Sequence, residues 1–247
     1  MALAQNLGFA RIGADRELKK ALEACWKGDT THEFPVPEFT QDQRLQLSWE
    51  QLFDDVQEAR ALGHQVQPVI IGPLTYLWLG KAMGDSFDKL ELLDRLLPIY
   101  GELLGRLAGK GVEWVQIDEP ILSLDLPQDW KNAFERAYHS LQYSPLKKLI
   151  ATYFGGLGAN LGLAVSLPVQ GLHVDLLRAP EQVPTLLDRL PTYKVLSLEG
   201  ANDRDVEGCD RDTAEELLRE AQLRFGENLW VAGSGSLLHS PVSLSAA

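Results

Sequence analysis

Two adjacent carboxylates, Asp118 and Glu119, follow the apolar run Val112–Ile117 and precede Pro120. A run rich in β-branched and aromatic residues is typical of a parallel strand that is covered on both faces. Pro120 ends the strand because proline has no N–H to donate. Ligands of α/β proteins bind at the carboxyl ends of strands, so this pair is a candidate for acid–base chemistry. An acidic strand end that caps a helix or pairs with a cation explains the dipeptide at least as well.

Further polar residues follow later predicted strands. His173 and Asp175 alternate on one strand face, so they could act as a base with its orienting carboxylate or as two metal ligands. A core histidine hydrogen-bonded to Asp175 or Asp118 accounts for the same pattern. Asp118, Glu119 and His173 are our catalytic candidates. Asp175 and His239, which follows the last predicted strand, are candidates for substrate binding, and histidines without a close pair predict no metal site.

A cluster of cations opens the first predicted helix, Asp15–Lys27. Arg16 and Lys19 lie in its first turns, where the helix dipole and the exposed N–H groups favour an anion. The pattern indicates either a site for an anionic tail or a solvated helix face with ion pairs such as Glu17 with Lys20.

Composition narrows the classes of function. The net charge of −12 argues against nucleic acid as a partner, because nucleic-acid binding needs a basic footprint. The apolar stretches are too short to cross a bilayer, and the N-terminus does not resemble a secretory signal. The two cysteines, Cys25 and Cys209, lie far apart, which is typical of a reducing compartment. We therefore expect a cytoplasmic protein with no membrane partner.

The fold class predicted from the pattern is α/β. About eight apolar, strand-like segments alternate with amphipathic helices over 247 residues, which is the size of a single (β/α)8 TIM-type barrel domain spanning residues 1–247. A doubly wound open sheet is the competitor, although no glycine-rich nucleotide motif follows the first strand. We expect irregular structure near residues 28–40 and 199–212, where the pattern of strands and helices breaks down.

Several long segments, in collinear order, resemble the N-terminal half of cobalamin-independent methionine synthase. They include LGFARIGADRELKKALEACWKGD, GVEWVQIDEPIL, LPVQGLHVDLLRAPEQ and LWVAGSGSLLHSP. The resemblance implies two fused (β/α)8 barrels that transfer a methyl group from a methyltetrahydrofolate polyglutamate to homocysteine, with zinc activating the thiol. The zinc ligands of that family belong to the C-terminal barrel, so the resemblance implies no cofactor in this chain.

The resemblance also suggests roles for individual residues. The positions that match the family's contacts to the folate glutamate tail are Arg16, Glu17, Leu18 and Lys19. Asp118 matches the substrate-holding aspartate of the catalytic barrel only through the likeness between the two barrels. The chain departs from the family between WKGD and VPEF, where THEFP replaces a longer stretch, and at Ser234–Ser236, where the family has a cysteine.

These observations predict a folate-binding half that is internally shortened and not catalytically competent alone. Its expected partners are a small anionic ligand, in particular a folate polyglutamate, and a second barrel domain. Two alternatives stay open. The chain could be a stand-alone barrel enzyme that uses Asp118, Glu119 and His173 at the strand ends, or it could be an engineered or partner barrel module.

Overall fold

The structure is a computed structural model that describes residues 3–5, 37–48, 50–83, 87–176, 178–199 and 211–232, with residues 3–5 described by their backbone alone. Strands and helices alternate along these ranges. The strands are β1 (Leu3–Gln5), β2 (Glu38–Phe39), β3 (Val69–Ile71), β4 (Lys81–Ala82), β5 (Trp114–Asp118), β6 (Lys147–Ala151), β7 (Gly171–Val174), β8 (Val195–Glu199) and β9 (Leu229–Ala232). The helices are α1 (Gln51–Ala61), α2 (Pro73–Leu79), α3 (Leu93–Gly109), α4 (Gln128–Leu141), α5 (Leu161–Ser166), α6 (Val183–Arg189) and α7 (Arg211–Phe225).

The main sheet has seven strands in the order β1-β9-β8-β7-β6-β5-β3, and all of its pairs are parallel. From β5 to β9 each strand lies beside the next one in the chain, and the last strand returns to pair with the first. A doubly wound sheet instead reverses its order in the middle. The predicted α/β class with the strand order of a TIM-type barrel is therefore confirmed.

Two tryptophans show that the sheet curves. The rings of Trp114 on β5 and Trp230 on β9 meet edge to face, with centroids 4.7 Å apart. Three strands separate β5 from β9 in the sheet, so a flat sheet would hold these positions about 19 Å apart. The two rings therefore pack across the interior of a curved sheet.

The ring of strands is not complete among the described residues. Chain order would place β2 between β1 and β3, but β2 pairs in parallel with β4 in a separate two-stranded sheet. Residues 37–40 belong to the first region predicted to be irregular, 28–40, and the remainder of that region lies outside the described residues. Of the second region, 199–212, the structure describes only Glu199 and the first two residues of α7, and only their backbone.

The two faces of the sheet have different chemistry, as strand alternation requires. One face packs against the helices and is apolar, with core residues that include Val115, Ile117, Ile150, Leu172, Val174, Leu196 and Leu198. The opposite face, which lines the interior, carries polar side chains near the carboxyl ends of the strands. No helix among the described residues has the length and apolar character needed to cross a membrane.

Candidate functional site at the carboxyl ends of β5 to β8

Glu119 lies on the helix-facing side of the sheet and is completely buried. One carboxyl oxygen accepts hydrogen bonds from the backbone N–H of Leu74 (3.2 Å) and from the hydroxyl of Tyr138 (2.9 Å). The other accepts from the backbone N–H (2.8 Å) and the hydroxyl (2.6 Å) of Thr75. Because Leu74 and Thr75 lie in the first turn of α2, Glu119 satisfies N–H groups that the first turn of a helix leaves unpaired.

The environment of Glu119 sets its protonation. Burial raises the pKa of this carboxyl to about 7, although its hydrogen bonds to Thr75, Tyr138 and Leu74 act in the opposite direction. The side chain also fits closely against Gly72, where an added Cβ would lie 2.1 Å from the Glu119 Cδ atom. These contacts favour the interpretation that Glu119 caps a helix. Its carboxyl group is not exposed at the strand ends.

Asp118 points the other way, into the interior, and is half-buried. Its Oδ1 atom accepts hydrogen bonds from the side-chain amide of Gln116 (2.8 Å) and from the hydroxyl of Tyr153 (3.0 Å). The same Gln116 amide also donates to the Tyr153 hydroxyl at 2.6 Å. Asp118, Gln116 and Tyr153 therefore form one hydrogen-bonded network, and Asp118 is the half-exposed acid among the catalytic candidates.

His173 lies on the same face and is buried. The Nδ1 atom of its ring is 2.9 Å from the hydroxyl oxygen of Ser197, so its partner is a serine rather than Asp175 or Asp118. Burial lowers the pKa of His173 to about 3, with Asp175 opposing the shift, and the imidazole is neutral at physiological pH. The Nε2 atom is buried and has no hydrogen-bond partner among the residues that the structure describes.

Asp175 is buried beyond the end of β7 and organises the loop that follows. Its carboxylate accepts from the backbone N–H of Arg178 at 2.8 Å and contacts the Arg178 guanidinium at 3.3 Å. The Asp175 carbonyl accepts from the side chain of Gln182 at 3.0 Å. The contacts described for Asp175 therefore hold the β7–α6 connection.

Strand register brings Asp118, His173 and Ser197 to one level of the interior face. Asp118 pairs with Ala151, Ala151 with His173, and His173 with Ser197. Sequence reasoning singled out Asp118 and His173 but missed Gln116 and Ser197, which lie inside apolar strands. The sequence did contain a signal for Gln116, because a polar residue two positions from a candidate acid in the same strand points to the same face of the sheet.

Five of the predicted binding residues cannot be placed. Arg16, Glu17, Leu18, Lys19 and His239 lie outside the described residues. The structure therefore brings together Asp118 and His173, directs Glu119 to the helix layer, and leaves the predicted anion site as a prediction.

The part of the chain that the structure describes has no group of three or more His, Cys, Asp or Glu side chains that could hold a metal ion. A zinc site needs three or four such ligands. The described residues therefore do not supply the ligand set of a zinc site.

Comparison with known proteins identifies relatives. Residues 29–225 match the family model described as the N-terminal domain of cobalamin-independent synthase. The fold is similar to a protein assigned as a vitamin-B12-independent methionine synthase from Listeria monocytogenes, with TM-score 0.64, 15% identity, and coverage of 81% of this chain and 67% of that one. A B12-independent methionine synthase from Shewanella sp. W3-18-1, in complex with selenomethionine, gives TM-score 0.60, 16% identity, and coverage of 81% and 62%.

A methyltransferase from Methanosarcina mazei is also similar, with TM-score 0.51, 17% identity, and coverage of 77% of this chain and 59% of that one. At these identities the structural likeness shows the fold, and the chain spans about two thirds or less of the length of these proteins. The family match covers most of the chain and agrees with the resemblance read from its motifs. The chain belongs to the family of cobalamin-independent synthase N-terminal domains.

Proposed function

We propose that this domain binds a methyltetrahydrofolate polyglutamate and that a separate, zinc-bearing barrel carries out methyl transfer to homocysteine. Membership of the synthase N-terminal domain family is the observation that carries the proposal. Arg16 and Lys19 would bind the glutamate tail, with Glu17 and Leu18 beside them. These four residues precede the matched range, so their assignment rests on the resemblance of the LGFARIGADRELKK segment.

The contacts of the candidate acids and bases support binding over independent catalysis. Glu119 accepts four hydrogen bonds in the helix layer, and His173 is a buried, neutral imidazole. A general base must reach the proton that it removes and must titrate near the working pH. Neither group meets both conditions. Of the three catalytic candidates, Asp118 is the half-exposed carboxylate.

Calorimetric titration with methyltetrahydrofolate triglutamate, with and without zinc, tests the binding step. We expect saturable binding that does not depend on zinc and that weakens as salt rises, because exposed charges are screened. The double variant Arg16→Ala/Lys19→Ala should weaken binding by roughly 10- to 100-fold or more, since each charged hydrogen bond that is lost contributes about 1.5–3 kcal/mol. Arg219→Ala/Arg224→Ala removes the same charge from α7 and is the matched control.

Two results would overturn parts of the proposal. Equal affinity of wild type and the Arg16/Lys19 variant would remove the tail site, and no binding at all would remove the folate role.

The need for a second barrel is tested separately with homocysteine, zinc and the methyl donor. Methionine formed by this chain alone, and lost in Asp118→Asn, would establish the stand-alone enzyme instead.

A further inference from the structure

We draw no further inference here: the strongest candidate, the row of exposed glycines Gly101, Gly105 and Gly109 on α3 beside the groove that Pro98 and Tyr143 line, is a helix face for which nothing in the described part of the chain shows what covers it.

Discussion

Glu119 and Thr75 are joined by two hydrogen bonds, from the backbone N–H of Thr75 at 2.8 Å and from its hydroxyl at 2.6 Å. They connect the end of β5 to the first turn of α2, which follows the neighbouring strand β3. The N-cap of α2 is Gly72, which has no side chain to cap the helix, so a carboxylate 47 positions later in the chain supplies the acceptor. The backbone N–H of Gly72 also donates to the Asp118 carbonyl at 2.8 Å, and the two strand ends are thereby fixed to each other.

Replacing Glu119 should therefore destabilise the fold. In Glu119→Ala the buried donors of Leu74, Thr75 and Tyr138 lose their acceptor, and we expect the free energy of unfolding to fall by about 3–5 kcal/mol. Glu119→Gln keeps one acceptor oxygen and should cost about 1–3 kcal/mol. Urea denaturation measures both. Glu102→Gln, at an exposed position of α3, is the control. If Glu119→Ala lost no more stability than Glu102→Gln, the capping role would be refuted.

Gly72 is expected to be intolerant of a side chain. An added Cβ would lie 2.1 Å from both the Cδ and the Oε1 atoms of Glu119, so the buried carboxyl group would have to move away from its donors. Overpacking of this kind costs about 1–3 kcal/mol, and we expect a loss of at least that size for Gly72→Ala in a denaturation experiment. If the cost comes through Glu119, it should be smaller when Gly72→Ala is made in the Glu119→Ala background.

Gly105 gives the opposite expectation. It is an exposed residue in the interior of α3, and an added Cβ would meet nothing within 4 Å. Alanine loses less backbone entropy than glycine in a helix, so Gly105→Ala should raise the free energy of unfolding by about 0.5–1 kcal/mol. Gly63→Ala is the matched contrast, because Gly63 is equally open but has a φ of 87°, and it should destabilise. Stabilisation by both changes would contradict the argument.

The sequence indicated the fold more fully than the site. Apolar strand-like runs alternating with amphipathic helices were sufficient to predict a parallel α/β barrel, because a strand covered on both faces gives an apolar run and a helix covered on one face gives an amphipathic segment. The pairing of β2 with β4 was not predictable, since two-residue strands carry almost no pattern. Strand alternation predicts that Asp118 and Glu119 point to opposite sides of the sheet, but it does not say which of them enters the interior. The contacts of Glu119 were not predictable, because its partners Leu74, Thr75 and Tyr138 come close only in the folded chain.

The buried His173 provides an acid-dependent contribution to stability. Its pKa is lowered to about 3 in the folded protein from an ordinary value of 6.5, so between these values the unfolded chain binds the additional proton. Stability from this group is fully present above about pH 6.5 and is lost as the pH falls, at up to about 1.4 kcal/mol per pH unit. At pH 5 the loss amounts to about 2 kcal/mol.

Glu119 contributes with the opposite sign. Its pKa is raised to about 7 in the folded protein from an ordinary 4.5, so between these values the folded chain binds the additional proton. Stability from Glu119 is therefore present at low pH and is lost as the pH rises from about 4.5 to 7. Between about pH 4.5 and 6.5 the two slopes have equal size and opposite sign, so the contributions of His173 and Glu119 cancel in the wild type.

Single variants should reveal each slope separately. Relative to the wild type, Glu119→Gln should lose about 3 kcal/mol of stability on acidification from pH 6.5 to 4.5, because only His173 then responds. His173→Asn should gain about as much over the same range, and the double variant should run parallel to the wild type. Urea denaturation at several pH values gives these differences, in which the titrations of all other groups are shared. Parallel profiles for the wild type and both single variants would show that neither buried group titrates differently in the folded and unfolded chains.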